Sequence, residues 1–192
     1  MKFLTNVRIG SRLGMAFGVV LVLMLAIAGL GLSAMHDIEE RLESAIDLTQ
    51  VKLASANQMS SAVRDIAILD SNMILLTDLD EKNVQLKQIE ENIARFQTAR
   101  KRLQTLVVTD DGKAMLATID AAVATATAMN EQLIKMAMAN QNGAGKDFLL
   151  EKFQPAVRVA LAELLKFLLH EQDLARKMAE HSKVDYQRAR MA

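Results

Sequence analysis

Past residue 36 the chain repeats one pattern four times: apolar residues spaced three, four or seven apart, with polar residues between them. The first stripe is Ala56, Met59, Val63, Ile66 and Met73; the second is Leu86, Ile89, Ile93, Phe96, Leu103 and Val107. The third runs Leu116, Ile119, Val123, Ala126, Leu133 and Ala137, and the fourth Val157, Leu161, Leu164, Leu168, Ala175 and Met178. Such spacing places each set on one face of an α-helix and is the signature of helices packed in a bundle.

The breaks are marked by capping and turn residues. In LLTDLDEKN at 75–83 the stripe stops, and Asp78 or Asp80 can cap a new helix with Glu81 in its first turn. VVTDDGK at 107–113 supplies capping residues and a glycine, and ANQNGAGKD at 139–147 is a loop-like cluster. Pro155 is expected near a helix start, because an interior proline costs about 3 kcal/mol. The pattern therefore predicts helices over about 36–77, 81–107 and 113–140, and a fourth that begins between 147 and 155 and runs to about 190. Connections this short force antiparallel neighbours, so the fold class is all-α, an up-down-up-down four-helix bundle. The outer helices are expected to outreach the inner pair by roughly 12–20 Å, at about 1.5 Å per residue.

Ahead of the bundle, Leu13–Met35 is an uncharged apolar run of 23 residues. Helical, it measures roughly 34 Å, enough to cross a hydrocarbon core of about 30 Å. Lys2, Arg8 and Arg12 precede it, whereas Asp37, Glu39, Glu40 and Glu43 follow with only Arg41 among them. The positive-inside rule then keeps residues 1–12 in the cytoplasm and exports 36–192. A cleaved signal peptide is the alternative, but its apolar region is typically about 7–15 residues, and here the helical pattern continues into HDIEERLESAIDL. The expectation is a retained, single-pass anchor.

Composition narrows the chemistry. Basic and acidic residues number 23 each, which gives no electrostatic footprint for nucleic acid. Cysteine is absent, so disulfides, thiolate metal sites and c-type haem attachment are excluded. No nucleophile–base arrangement, phosphate loop or paired catalytic carboxylate is visible, and neither an enzyme nor a cofactor is expected. His170 and His181 lie three turns apart and His36 sits at the membrane boundary, a poor set for metal. Met129, Met136 and Met138 read as core filler in place of haem ligands.

This layout resembles the sensor region of methyl-accepting chemotaxis proteins. The resemblance is carried by VRIGSRLGMAFGVVLVLMLAIAGLGL at the membrane, SAVRDIAILDSNMILLTD at 61–78, VTDDGKAMLATIDAA at 108–122 and FQPAVRVALAELLKFLLHEQDLA at 153–175. It implies a homodimeric receptor in the bacterial inner membrane, with its bundle in the periplasm. Signalling would proceed by a small shift of the last helix against the first. In that family a second membrane helix, a linker and a cytoplasmic coiled coil follow, and the coil engages a coupling protein and a histidine kinase; these 192 residues carry none of them. The same input module also serves histidine kinases and cyclases, and a membrane-tethered adaptor bundle is the reading from another class.

Arg64 is the candidate ligand residue. It lies beside the stripe residue Val63, and relatives that take carboxylates use arginine near a cleft, where the planar guanidinium pairs bidentately. The alternative pairs Arg64 with Asp65 or with an acid on the adjacent helix. Val123, Ala126 and Thr127 stand where carboxylate-binding relatives carry arginine and tyrosine, which counts against an anionic ligand and leaves room for a less polar one or for none. Arg100 and Asp70 occupy stripe positions, where a polar residue fixes register at a cost in stability.

Overall fold

The computed structural model describes residues 17–18, 23–24 and 47–191. Within the compact unit Ile46–Met178 all regular structure among the described residues is helical, with no strand. Helix α1 covers residues 47–75, α2 Leu79–Leu106 and α3 Asp110–Met138. The last rod begins with α4 at Asn142–Phe148, passes through one π-helical turn at Leu149–Phe153, and continues as α5, Gln154–Met191. Residues 36–46 of the expected first helix lie outside the described residues. So does the expected anchor, apart from Phe17, Gly18, Leu23 and Met24, which are helical and exposed. Among the described residues no helix is long and apolar enough to cross a membrane.

The caps explain the boundaries. Asp78 accepts a hydrogen bond from the Glu81 amide at 3.0 Å, so it starts α2 while Asp80 lies within the first turn. Thr109 accepts from the Gly112 amide at 3.2 Å, and α3 therefore starts three residues before the expected 113. Gly112 belongs to that first turn: a side chain there would meet Val107 Cγ1 at 2.6 Å.

The largest difference lies at 139–147. Asn140 takes the left-handed conformation, with φ 54°. Its amide bonds to the Ala137 carbonyl and the Gln141 amide to that of Met136, both at 3.0 Å. This is a Schellman closure, with asparagine where glycine is commonest. The turn is complete by Gln141, and the helix resumes at Asn142, five residues before the earliest expected start. Gly145 is buried in α4, where a Cβ would meet Ile74 Cδ1 at 2.5 Å. A bare Cα lets α4 sit close on the end of α1.

Pro155 is the second residue of α5, but no loop precedes it. The Gln154 amide reaches back to the Leu149 carbonyl in the wider π pattern. A π turn relieves the crowding between a proline ring and the carbonyl four residues earlier, so the rod stays helical through the proline.

Cross-contacts give the topology. Lys82, in the first turn of α2, reaches the end of α3, while Arg100 late in α2 pairs with Asp120 early in α3. Lys52 early in α1 meets Glu171 far along α5. Those pairs run antiparallel; Asp70 of α1 meets Asn130 of α3 across the bundle, as up-down-up-down order requires. The core between the helices holds Met59, Met73, Ile89, Leu103, Ile119, Leu133, Phe153, Leu164 and Phe167. Met129 and Met138 pack against it, as filler should.

Candidate functional site

The stripes bury one face of each helix, and the side chains at the edge of that face decide what the surface can bind. Arg64 is such a residue. It follows buried Val63 by one position, which swings it out of the core to an exposed place. An open groove of about 380 Å³ runs between α1 and α5. Arg64, Ser71 and Asn72 line it from α1, and Gln154, Arg158 and Leu161 line it from α5. Neither Arg64 nor Arg158 has an ion-pair partner among the described residues. Asp65 is engaged elsewhere, at 3.5 Å from Arg95. The expected alternative pairing of Arg64 with Asp65 is therefore not the one formed.

Arg158 escaped the sequence reading because α5 was read for its stripe alone. Arg158 follows the buried stripe residue Val157 as Arg64 follows Val63, and that repeated register was the available signal. Two guanidinium groups sharing a groove with amide and hydroxyl side chains can hold a carboxylate or another small anion by charge-assisted hydrogen bonds. The apolar body of such a ligand would lie on Ala67, Ile68 and Leu161.

Val123, Ala126 and Thr127 take no part in this groove. They line a separate interior cavity with residues from the other helices, so the lack of arginine on α3 does not bear on an anion held between α1 and α5.

The two polar stripe residues separate. Arg100 is half-buried and forms a two-point bridge with Asp120, Nε to Oδ1 at 2.7 Å and Nη2 to Oδ2 at 2.5 Å. The Asp120 hydrogen bonds hold its guanidinium above the ordinary range, partly offset by burial. Asp70 is 1% exposed. Its Oδ2 accepts a hydrogen bond from Asn130 Nδ2, and its Oδ1 has no partner. Burial pushes its carboxyl up to about 7, with the Asn130 hydrogen bond pulling weakly the other way. This is the interhelical polar contact expected of a residue that sets register.

Among the described residues two lysines are buried. Lys52 donates to Glu171 Oε2 at 3.1 Å, with Glu171 only 2% exposed. Lys82 is fully buried without a carboxylate. It donates to the Ala137 carbonyl and to Asn140 Oδ1, each at 2.5 Å. Those acceptors belong to the C-terminal turn of α3, where unpaired carbonyls and the helix dipole favour a cation. Lysine at the fourth position of a helix carries no sequence signal for such a role. Among the described residues no group of His, Asp and Glu could hold a metal. His181 is exposed, and His170 lies in the bundle wall with Nε2 unpartnered.

A family profile described as a four helix bundle sensory module for signal transduction matches residues 6–186. The chain belongs to this family. Among solved structures, one described as the periplasmic sensor domain of a sensor histidine kinase superposes with a TM-score of 0.62. That match has 18% identity and covers 76% of this chain and 94% of the other. At that identity the likeness is one of fold. No curated protein matches the chain.

Proposed function

We propose that this sensory module is the periplasmic input half of a homodimeric bacterial chemoreceptor, and that it takes a small anion between Arg64 and Arg158. The observation that carries the reading is the pair of guanidinium groups in one groove, on the first and last helices of the bundle, without an ion-pair partner among the described residues. A ligand bridging them changes the packing of α5 against α1, and a shift of that kind is what the resemblance implies as the signal. No chemical transformation is required. Input to a histidine kinase is the second reading, favoured by the fold of the solved sensor domain.

Titrating the full chain in lipid nanodiscs with a panel of mono- and dicarboxylates tests the groove. Arg64 is exposed, so each arginine is expected to contribute at the scale of a hydrogen bond to a charged group, about 1.5–3 kcal/mol, or roughly ten- to a hundredfold in affinity. Arg64→Ala and Arg158→Ala should each weaken binding by that factor and leave the unliganded melting temperature nearly unchanged. Arg64→Lys should recover little, because a point charge does not reproduce the planar fork. Undiminished affinity by isothermal titration in both alanine variants would remove the groove as the site.

The reading also keeps Leu13–Met35 in the mature protein as a membrane anchor. Its support is the 23-residue apolar run and a family match that begins ahead of it, at residue 6. Intact-mass spectrometry of membrane-extracted protein should show the N-terminal segment retained. A mature N-terminus near Met35 would mean a cleaved signal peptide.

A further inference from the structure

The interior of the bundle holds a second space, which shares Val157 with the groove but none of its arginines. A cavity of about 220 Å³ lies at mid-height and is lined from all four helices. Its buried floor is Val63, Phe153, Val157 and Ala160. Gln97 and Thr127 are its exposed lining residues and mark the mouth, between α2 and α3. Protein interiors are packed like organic crystals and leave few voids larger than a water molecule. A dry cavity of about 150 Å³ already accommodates benzene.

One buried polar residue, Asn130, enters this lining, and it is 5% exposed. Its Nδ2 is committed to Asp70 Oδ2, which leaves the amide oxygen as a free acceptor. Behind it Asp70 Oδ1 is buried with no partner. No lining residue is charged, so an ionic ligand would lose its hydration without compensation.

We infer that this cavity is a binding site for a small uncharged molecule of about one aromatic ring, whose single hydrogen-bonding group meets Asn130. The ring packs against Ile93, Phe96, Val123 and Phe153. The ligand touches all four helices, so it shifts the packing of the bundle to the extent that it binds one arrangement more tightly than another. The inference rests on the packing of the core and does not depend on the arginine groove.

The test uses the full chain in nanodiscs, labelled at Ile, Leu and Val methyl groups, with p-cresol and toluene as probes at equal free concentrations fixed by dialysis against protein-free discs. Saturable shifts of the Ile66, Ile93 and Val123 methyls, which line the cavity and not the groove, are expected with p-cresol. Toluene, which lacks the hydroxyl, should bind roughly three- to tenfold more weakly. Asn130→Leu should erase that preference. Ala126→Phe, which fills the cavity, should abolish the shifts; Val123→Trp blocks the partly exposed wall and gives the same result should the larger core change fail to fold. Arg64→Ala should leave p-cresol binding unchanged, so failure of the groove and failure of the cavity are separable. Shifts that never saturate, or equal affinity in parent and both filled variants, would overturn the inference.

Discussion

Raising the pH from about 4 to about 8 is expected to destabilise the bundle by as much as about 4 kcal/mol through Asp70 alone, and Asp70→Asn is expected to remove that loss. In the folded protein the carboxyl titrates at about 7, against 3.8 for the ordinary group. Between those values the unfolded chain has released the proton and the folded chain still holds it. The folded state therefore binds more protons, and stability falls with rising pH across the window. Each pH unit is worth about 1.4 kcal/mol, and the window spans about three. The loss is complete above the folded value and absent below the unfolded one. Asparagine keeps a hydrogen-bonding partner for Asn130 and carries no charge to desolvate. Urea denaturation at a series of pH values provides the measurement. The Asp70→Asn variant should match the parent near pH 4 and exceed it near pH 8. Parallel pH profiles for the two proteins would show that the folded core tolerates the Asp70 charge.

The second large effect is expected at Lys52 and Glu171. Removing the lysine by Lys52→Ala leaves a carboxylate that is 2% exposed without its one partner, since Oε1 already has none. Breaking a buried pair from one side typically costs about 3–5 kcal/mol, a large part of a typical stability of about 5–15 kcal/mol. Glu171→Ala should cost less, because the lysine, 11% exposed, can swing its ammonium toward water along an apolar stem. Replacing both, as Lys52→Met with Glu171→Leu, should return the protein to near the parent's stability. A buried ion pair is often no better than a well-packed apolar pair. Chemical denaturation of the parent and the three variants provides the measurement. Equal, small losses in both single variants would show that the pair is solvated and contributes little.

The sequence by itself determined the elements and their order. Three- and four-residue spacing has one structural solution, so the stripes through Met59, Ile89, Ile119 and Leu164 named core residues that are fully buried. Capping chemistry is local, and so a start at Asp78 or Asp80 was readable; the structure chooses Asp78 and begins α2 at Leu79, two residues before the expected 81. Local reading failed where distant residues decided the outcome. Gly143 and Gly145 suggest a loop to any local rule, whereas the start of α3 ahead of Gly112 is a local matter of the Thr109 cap. The helix over Asn142–Phe148 can lie close on α1 because Gly145 carries no side chain to meet Ile74, a residue far earlier in the chain. Arg64 was visible as the neighbour of a stripe residue. That it shares a groove with Arg158, while Asp65 turns to Arg95, depends on how α1 and α5 are rotated against each other. The interior cavity and the raised Asp70 carboxyl belong wholly to the tertiary level. Volume and dielectric are properties of what surrounds a residue on every side, and a stripe specifies only which face turns inward.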